Sequence, residues 1–321
     1  MIRTALRRPL VLVGIGGVLL ALFVALAVLF ISGGDDEPRG GPTRPPSEVG
    51  YPADVLDLRN WKLTLPVDGD DDGKADEIRQ PCLAVACYDP SRKMYDNPDF
   101  KVPFSSVWFH VADNREGVVF RAPVNGATTS GSDNARSELR ELAPANEDGD
   151  EVEARWSNKG SAVHTMEVEQ AILGTPRRYR SVVTAQIHND DDDVILIKYR
   201  DGRLFADADS GDFDETLDEN YRLGTRFKLR IQATQGLIRV TYNDTKTVVY
   251  KKASDTMYFK AGVYNQSNLK KYPDESPNSY GEVVVYHLRV THVGGSANAD
   301  ADNGGDSSDD SSDDSSDDGE N

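Results

Sequence analysis

The sequence predicts an all-β protein, a β-sandwich or jelly roll, and three observations carry that reading. Short runs rich in Val, Ile, Tyr and Thr recur along the middle of the chain, among them 117–121, 164–169, 194–199, 227–231, 237–242 and 282–293. Gly, Asn and Asp separate these runs, and Gln235-Gly236 stands between two of them as a hairpin turn would. No long stretch shows a helical period, and no repeat of roughly 20–50 residues is visible in this part.

Taken in order, the 321 residues divide into five pieces. Residues 1–9 carry Arg3, Arg7 and Arg8 and are expected on the cytoplasmic side. Residues 10–31 form an unbroken apolar run of 22 residues, about 33 Å as a helix and enough to cross a bilayer. The expectation is an uncleaved anchor with the rest of the chain outside; the alternative is a long signal peptide cleaved near Ser32. Either way the main domain is extracytoplasmic, membrane-anchored or secreted. Residues 32–50, rich in Gly, Pro, Asp and Arg, read as a flexible linker. Residues 51–294 are the sandwich. Residues 295–321 repeat Asp-Ser-Ser-Asp, lack the apolar content to bury a core, and are expected to be disordered.

The net charge of −18 is uneven, because ten acidic and no basic residues follow Ser296. So acidic a chain argues against nucleic acid and against anionic membrane surfaces as partners; the only membrane contact expected is through the N-terminal helix. Cys82 and Cys87 are the two cysteines, and in an exported protein so close a pair is expected to form a disulfide pinning a small surface loop. Asp68, Asp70 and Asp72, followed by Gly73, resemble the first half of a calcium loop, but the twelfth position is Arg79 where a bidentate Glu is needed. A solvated acidic turn is the better reading, and no resident metal or other cofactor is expected. The chain is expected to act as a monomer.

Three stretches alternate in a way that ordinary strands do not. In Tyr258–Gln266, a period of two puts Tyr258, Lys260, Gly262, Tyr264 and Gln266 on one face and Phe259, Ala261 and Val263 on the other. Gly262 would leave room for something to approach closely. In Arg136-Ser137-Glu138-Leu139-Arg140, the charges share a face; in Ala185-Gln186-Ile187-His188, Gln186 and His188 do. Laid in one sheet, these faces make a surface suited to an anionic, hydroxyl-rich ligand. Alone, Arg136, Glu138 and Arg140 would read as a surface ion-pair ladder, and the tyrosines as half-buried sheet aromatics. Three such faces in one chain favour a site. The remaining histidines, His110, His164, His287 and His292, show no pattern that places them together.

Arg-Ser-Glu-Leu-Arg, Gln-Ile-His and Tyr-Phe-Lys-Ala-Gly-Val-Tyr-Asn-Gln, in this order, resemble the three signature regions of the alginate lyases of polysaccharide lyase family 7, and Asn60–Pro66 resembles that family's opening strand. The similarity covers roughly residues 51–294. It implies a jelly roll whose concave sheet forms an open substrate groove, and endolytic cleavage of alginate by β-elimination. It also implies a catalytic cast of Arg136, Gln186, His188 and Tyr264. The residues themselves suit that chemistry. Elimination across carbons 4 and 5 of a uronate needs the carboxylate neutralised, a base for the carbon-5 proton and an acid for the leaving oxygen. Arg136 and Gln186 offer donors to the carboxyl group. His188, with an ordinary pKa of ~6.5, suits the base or can help neutralise the carboxyl group. The Tyr264 phenol suits the acid or, if neighbouring cations lower its pKa, the base. For guluronate His188 would be base and Tyr264 acid, and for mannuronate Tyr264 could serve as both. Arg140, Glu138, Lys260, Tyr258 and Gln266 would support or bind sugar. Gln-Ile-His in that family tends to accompany action on guluronate blocks. The alternatives are a non-catalytic carbohydrate-binding jelly roll, and a lyase acting on another polyuronate such as glucuronan. The acidic run Asp190–Asp193 beside His188 either repels a polyanion or curves away as a turn.

Overall fold

Why these segments form strands is visible in the burial of their alternate residues. In β12 (Phe227–Thr234), Phe227, Leu229 and Ile231 are buried while Lys228 and Arg230 are exposed; in β13 (Leu237–Tyr242), Ile238, Val240 and Tyr242 are buried. One face packs and one is solvated, as an antiparallel sheet with a single covered side requires. Gln235 and Gly236 join them with φ of 50° and 70°, the left-handed pair that a two-residue hairpin needs.

The computed structural model describes residues 49–85, 103–146, 148–208 and 211–298. Two antiparallel sheets pack face to face. One runs β14 (Lys246–Lys251), β13, β12, β7 (Val163–Gly174), β16 (Tyr280–Val293), β4 (Val118–Pro123) and β3 (Phe109–Val111). The other runs β11 (Asp214–Asp218), β10 (Arg203–Asp207), β9 (Asp193–Arg200), β8 (Ser181–His188), β15 (Tyr258–Asn265), β5 (Arg136–Ala143), β1 (Trp61–Thr64) and β2 (Glu77–Ile78), with β6 (Val152–Glu153) also paired to β5. Among the described residues the only helical element is a short 3-10 turn, Pro52–Asp54. The two sheets bury Leu139, Ile187, Phe259 and Val263 against Phe120, Met166, Ile231 and Val285, giving the jelly-roll sandwich.

The interior also holds a polar cluster that the sequence did not announce. Register in β7 and β16 sets His164 opposite His292, and their Nδ1 atoms lie 2.7 Å apart. His292 Nε2 is 2.7 Å from Glu141 Oε1, and Glu141 Oε2 accepts from Trp156 Nε1 and the Phe259 amide, each at 2.9 Å. His164 Nε2 donates to the Ser157 carbonyl at 3.1 Å, and its ring stacks on Trp156. A carbonyl only accepts, so the His164 proton sits on Nε2 and its Nδ1 must accept from His292. His292 therefore donates from Nδ1, and its Nε2 shares one proton with Glu141 Oε1. Burial, with His292 beside it, holds His164 down at about 4.

Three sequence expectations meet the structure at the edges. The packed chain runs past residue 294: Ala297 is buried in the core and Asn298 bridges to Arg155, because Ala297 supplies an apolar side chain just before the acidic repeats begin. Val49 is likewise buried, ahead of the expected start. Cys82 is disulfide-bonded, and Cys87 lies outside the described residues. So do the apolar run 10–31, the linker to residue 48 and residues 299–321. Among the described residues no helix is long and apolar enough to cross a membrane.

Candidate active site

The central strands of the nine-stranded sheet depart from the one-face rule. All eight residues of β5 are at least partly buried, seven of them fully, and β8 shows the same pattern. Ser137, Leu139 and Glu141 face the core, so Arg136, Glu138 and Arg140 are shielded on the opposite side. Gln186 and Glu138 are almost completely buried there, and Lys260 and Arg136 nearly so. Charged side chains are rarely buried unless paired, so this covered outward face marks a cleft lined by polar groups.

Strand register assembles the cleft. Lys62 of β1 lies opposite Arg140 of β5, Arg140 opposite Lys260 of β15, and Lys260 opposite Gln186 of β8. One same-face step from Lys260, Tyr258 lies opposite His188; two steps the other way, Tyr264 lies opposite Arg136. Like charges set side by side repel, and carboxylates answer them. Glu138 accepts from Lys260 at 2.7 Å, from Arg136 at 3.1 Å, and from Gln186 Nε2. Glu153 pairs with Arg140 at 3.0 Å and Lys62 at 2.6 Å, and Glu77 with Lys62 at 2.9 Å. Burial alone would raise the Glu138 carboxyl, but Lys260 and Arg136 more than reverse this and hold it below the usual range. Burial lowers the Lys260 ammonium to about 8.

The aromatic rings fix the acid and base candidates. The Arg136 guanidinium sits 4.0 Å over the Tyr264 ring, and the Tyr264 hydroxyl lies 2.9 Å from Ser132 Oγ. Arg140 sits 3.9 Å over the Tyr258 ring, on which the His188 imidazole also stacks at 5.3 Å. Burial raises the Tyr258 phenol. His188 Nδ1 donates to the Asn189 carbonyl, leaving Nε2 as the nitrogen that can take a proton. Burial, with Lys260 beside it, holds the imidazole below its ordinary value, so it stands neutral near pH 7.

The structure thus brings together Arg136, Glu138, Arg140, Gln186, His188, Tyr258, Lys260 and Tyr264. It corrects three expectations about them. Gly262 does not open the cleft: a Cβ there would lie 2.5 Å from the Ser137 carbonyl and 3.0 Å from the Phe120 ring, on the side of β5 and the core. At a φ of +141°, Gly262 permits a bulge in which three steps of β15 match two of β8, which sets where Tyr264 stands relative to His188. Gln186 gives its amide to Glu138, leaving its Oε1, an acceptor, without a partner, so it suits a hydroxyl or protonated carboxyl rather than a carboxylate. Gln266 lies beyond the end of β15 and donates to the Asn265 carbonyl, so it stands outside the row. Arg136 Nε and Arg140 Nη1 are buried donors without a partner.

Sequence reasoning missed Lys62 and Asp193. Lys62 was legible as the outward residue between Trp61 and Leu63. Asp193 lies 3.4 Å from His188 Nε2, because Asn189–Asp192 form a hairpin turn that returns Asp193 opposite His188. The acidic turn elsewhere gathers Asp68, Asp70 and Asp76, not Asp72, whose carboxylate accepts the Lys74 amide. Asp68 and Asp76 accept the amides of Asp72, Gly73 and Gly69. Two other depressions lie elsewhere: one of about 560 Å³ beside Asp57, Arg59 and Arg289, whose wall includes Glu141 and His292 of the core cluster, and one of about 250 Å³ beside Glu167, Lys228 and Asp244.

Residues 56–292 match the family model described as alginate lyase. An alginate lyase from Klebsiella pneumoniae is 28% identical over 309 residues, covering 77% of this chain and 94% of that protein. A solved alginate lyase of polysaccharide lyase family 7 is 41% identical, covers 76% of this chain and 99% of its own, and superposes with a TM-score of 0.62. That of Corynebacterium sp. is 36% identical over the same shares, with a TM-score of 0.65. With its jelly-roll sheets, its polar cleft and these likenesses, the chain belongs to the alginate lyase family and is a polysaccharide lyase acting on alginate.

Proposed function

We propose that the protein cuts guluronate-containing blocks of alginate endolytically, by β-elimination, to unsaturated oligosaccharides. The observation that carries this reading is the pairing across β8 and β15. A neutral imidazole with an available Nε2 and a phenol capped by a guanidinium lie on one polar cleft face. Arg136 and Arg140, each with an unpartnered donor, take the uronate carboxylate and stabilise charge as it develops there. Nε2 of His188 takes the carbon-5 proton. The electron pair forms the carbon 4–carbon 5 double bond and expels the glycosidic oxygen, which takes the proton of Tyr264. Gln186 Oε1 accepts from a sugar hydroxyl. In this scheme side chains make every proton transfer, so no cofactor is called on. Lys260, Tyr258 and Lys62 bind flanking sugars. Sugar-polymer cleavage and the N-terminal apolar run together support action outside the cytoplasm.

The test is to incubate the full chain separately with polyguluronate, polymannuronate and glucuronan and follow the ultraviolet absorbance of the new double bond. Fastest turnover of polyguluronate, with short and long products appearing together, is expected. His188→Ala should abolish that reaction and affect polymannuronate less; an equal loss on both would remove His188 as the guluronate base.

A further inference from the structure

The hairpin between β8 and β9 is built to deliver one carboxylate to the imidazole. Asn189 N donates to the Asp192 carbonyl at 3.1 Å, and Asn189 Oδ1 accepts from Asp191 N and Asp192 N at 3.0 and 2.8 Å. Asn189 Nδ2 anchors the turn to Ser254 Oγ at 2.9 Å. Of the four aspartates, Asp190 turns away to an ion pair with Arg155, and Asp191 and Asp192 face solvent. Asp193 alone returns to the cleft, in register with His188, its Oδ1 3.4 Å from Nε2. Both side chains are about three-quarters shielded from water.

The groups around His188 come from three neighbouring strands. Tyr258 and Lys260 face it from β15, Glu138 and Arg136 from β5, and Asp193 from β9. Lys260 and Arg136 are both committed to Glu138. Asp193 is therefore the carboxylate placed to answer a charge on the imidazole. We propose that Asp193 is a positioning residue for the elimination, its carboxylate beside Nε2 of His188 stabilising the imidazolium that forms when Nε2 takes the carbon-5 proton. This rests on the reading of His188 as the base. Asp193 exchanges no proton; after the product departs, the proton on Nε2 leaves to water and the Tyr264 phenolate takes one from water. Burial pushes the two groups toward their uncharged forms, His188 down and Asp193 up, and their mutual attraction opposes that pull.

The test uses the full chain and Asp193→Asn, which keeps the shape and removes the charge. The His188 ring is titrated by NMR, and kcat/KM on polyguluronate is followed against pH. The pairing predicts that the His188 titration moves down by about one pH unit, and that the acid limb of kcat/KM moves with it. Asp193→Glu should restore both. An unchanged titration overturns the proposal. A titration that moves while the acid limb stays overturns the assignment of His188 as base and leaves the pairing intact. The wild-type curve gives a check that needs no variant. A paired His188 must show a second, acidic inflection as Asp193 titrates, and a single-step curve overturns the pairing.

Discussion

Strand β5 carries two buried glutamates on opposite faces, and they do different work. Glu138 faces the cleft and Glu141 the core; each is almost fully buried and each accepts three hydrogen bonds. Around Glu141 every ring nitrogen and donor in the cluster finds a partner, and the result ties β5 to β7 and β16. Around Glu138 the neighbours are left incomplete: Arg136 Nε, Arg140 Nη1 and Gln186 Oε1 have none. A satisfied buried network is a structural joint, whereas one with unpaired atoms held in place by its own carboxylate is poised for a ligand. The same residue type, three positions apart, is read correctly only from its surroundings.

That contrast can be broken by experiment, beginning with the cleft. Tyr264→Phe should cut turnover by about 10²–10⁴-fold while leaving oligosaccharide binding nearly intact; near-normal rates would remove the phenol from the acid role. Glu138→Gln keeps the shape but leaves the nearly buried Arg136 and Lys260 without their carboxylate, and should lower kcat by about 10²-fold and lower Tm as well. Glu141→Gln should act mainly on stability. It breaks the buried pairing of Glu141 with His292, a loss of roughly 1–3 kcal/mol, or about 5 °C in Tm, with kcat per folded molecule retained. If the two variants lose activity and stability in the same proportion, the division between joint and site fails.

The core cluster also makes a pH prediction. His164 sits at about 4 in the folded chain against an unfolded value near 6.5. Its contribution is fully present above pH 6.5 and is lost as pH falls toward 4, by roughly 3 kcal/mol in all. Tm measured between pH 7 and 4.5 should fall accordingly, and His164→Asn should flatten the slope. The smallest effect belongs to the acidic tail. Truncation after Asn298 keeps Ala297 in the core and should leave Tm and turnover unchanged. Truncation before Gly295 should lower Tm.

Much of this was legible in the sequence. Alternation in Arg136–Arg140, Ala185–His188 and Tyr258–Tyr264 put the right side chains on the right faces, and Gln235-Gly236 gave its hairpin. What was not legible depends on pairing between distant strands. His164 and His292 meet only because β7 and β16 share a register 128 positions apart. Glu141 joins them because its strand, not its neighbours in sequence, faces the core. Asp193 looked like one of four interchangeable aspartates until the Asn189 turn separated it from the rest. Gly262 was read as space for substrate, since a sequence shows that a glycine lacks a side chain but not which way the missing one would point.

The bulge at Gly262 has a consequence for how such an enzyme acquires its taste in sugars. Guluronate and mannuronate are epimers at carbon 5, so their protons are presented from opposite sides of the ring. The offset between His188 and Tyr264 along the sheet is set by the backbone at one glycine. Relocating the bulge by a residue would re-aim the phenol against the imidazole while every reacting side chain stayed the same. Under the roles proposed for His188 and Tyr264, epimer preference would depend on strand phase and would be open to change by insertion or deletion near Gly262.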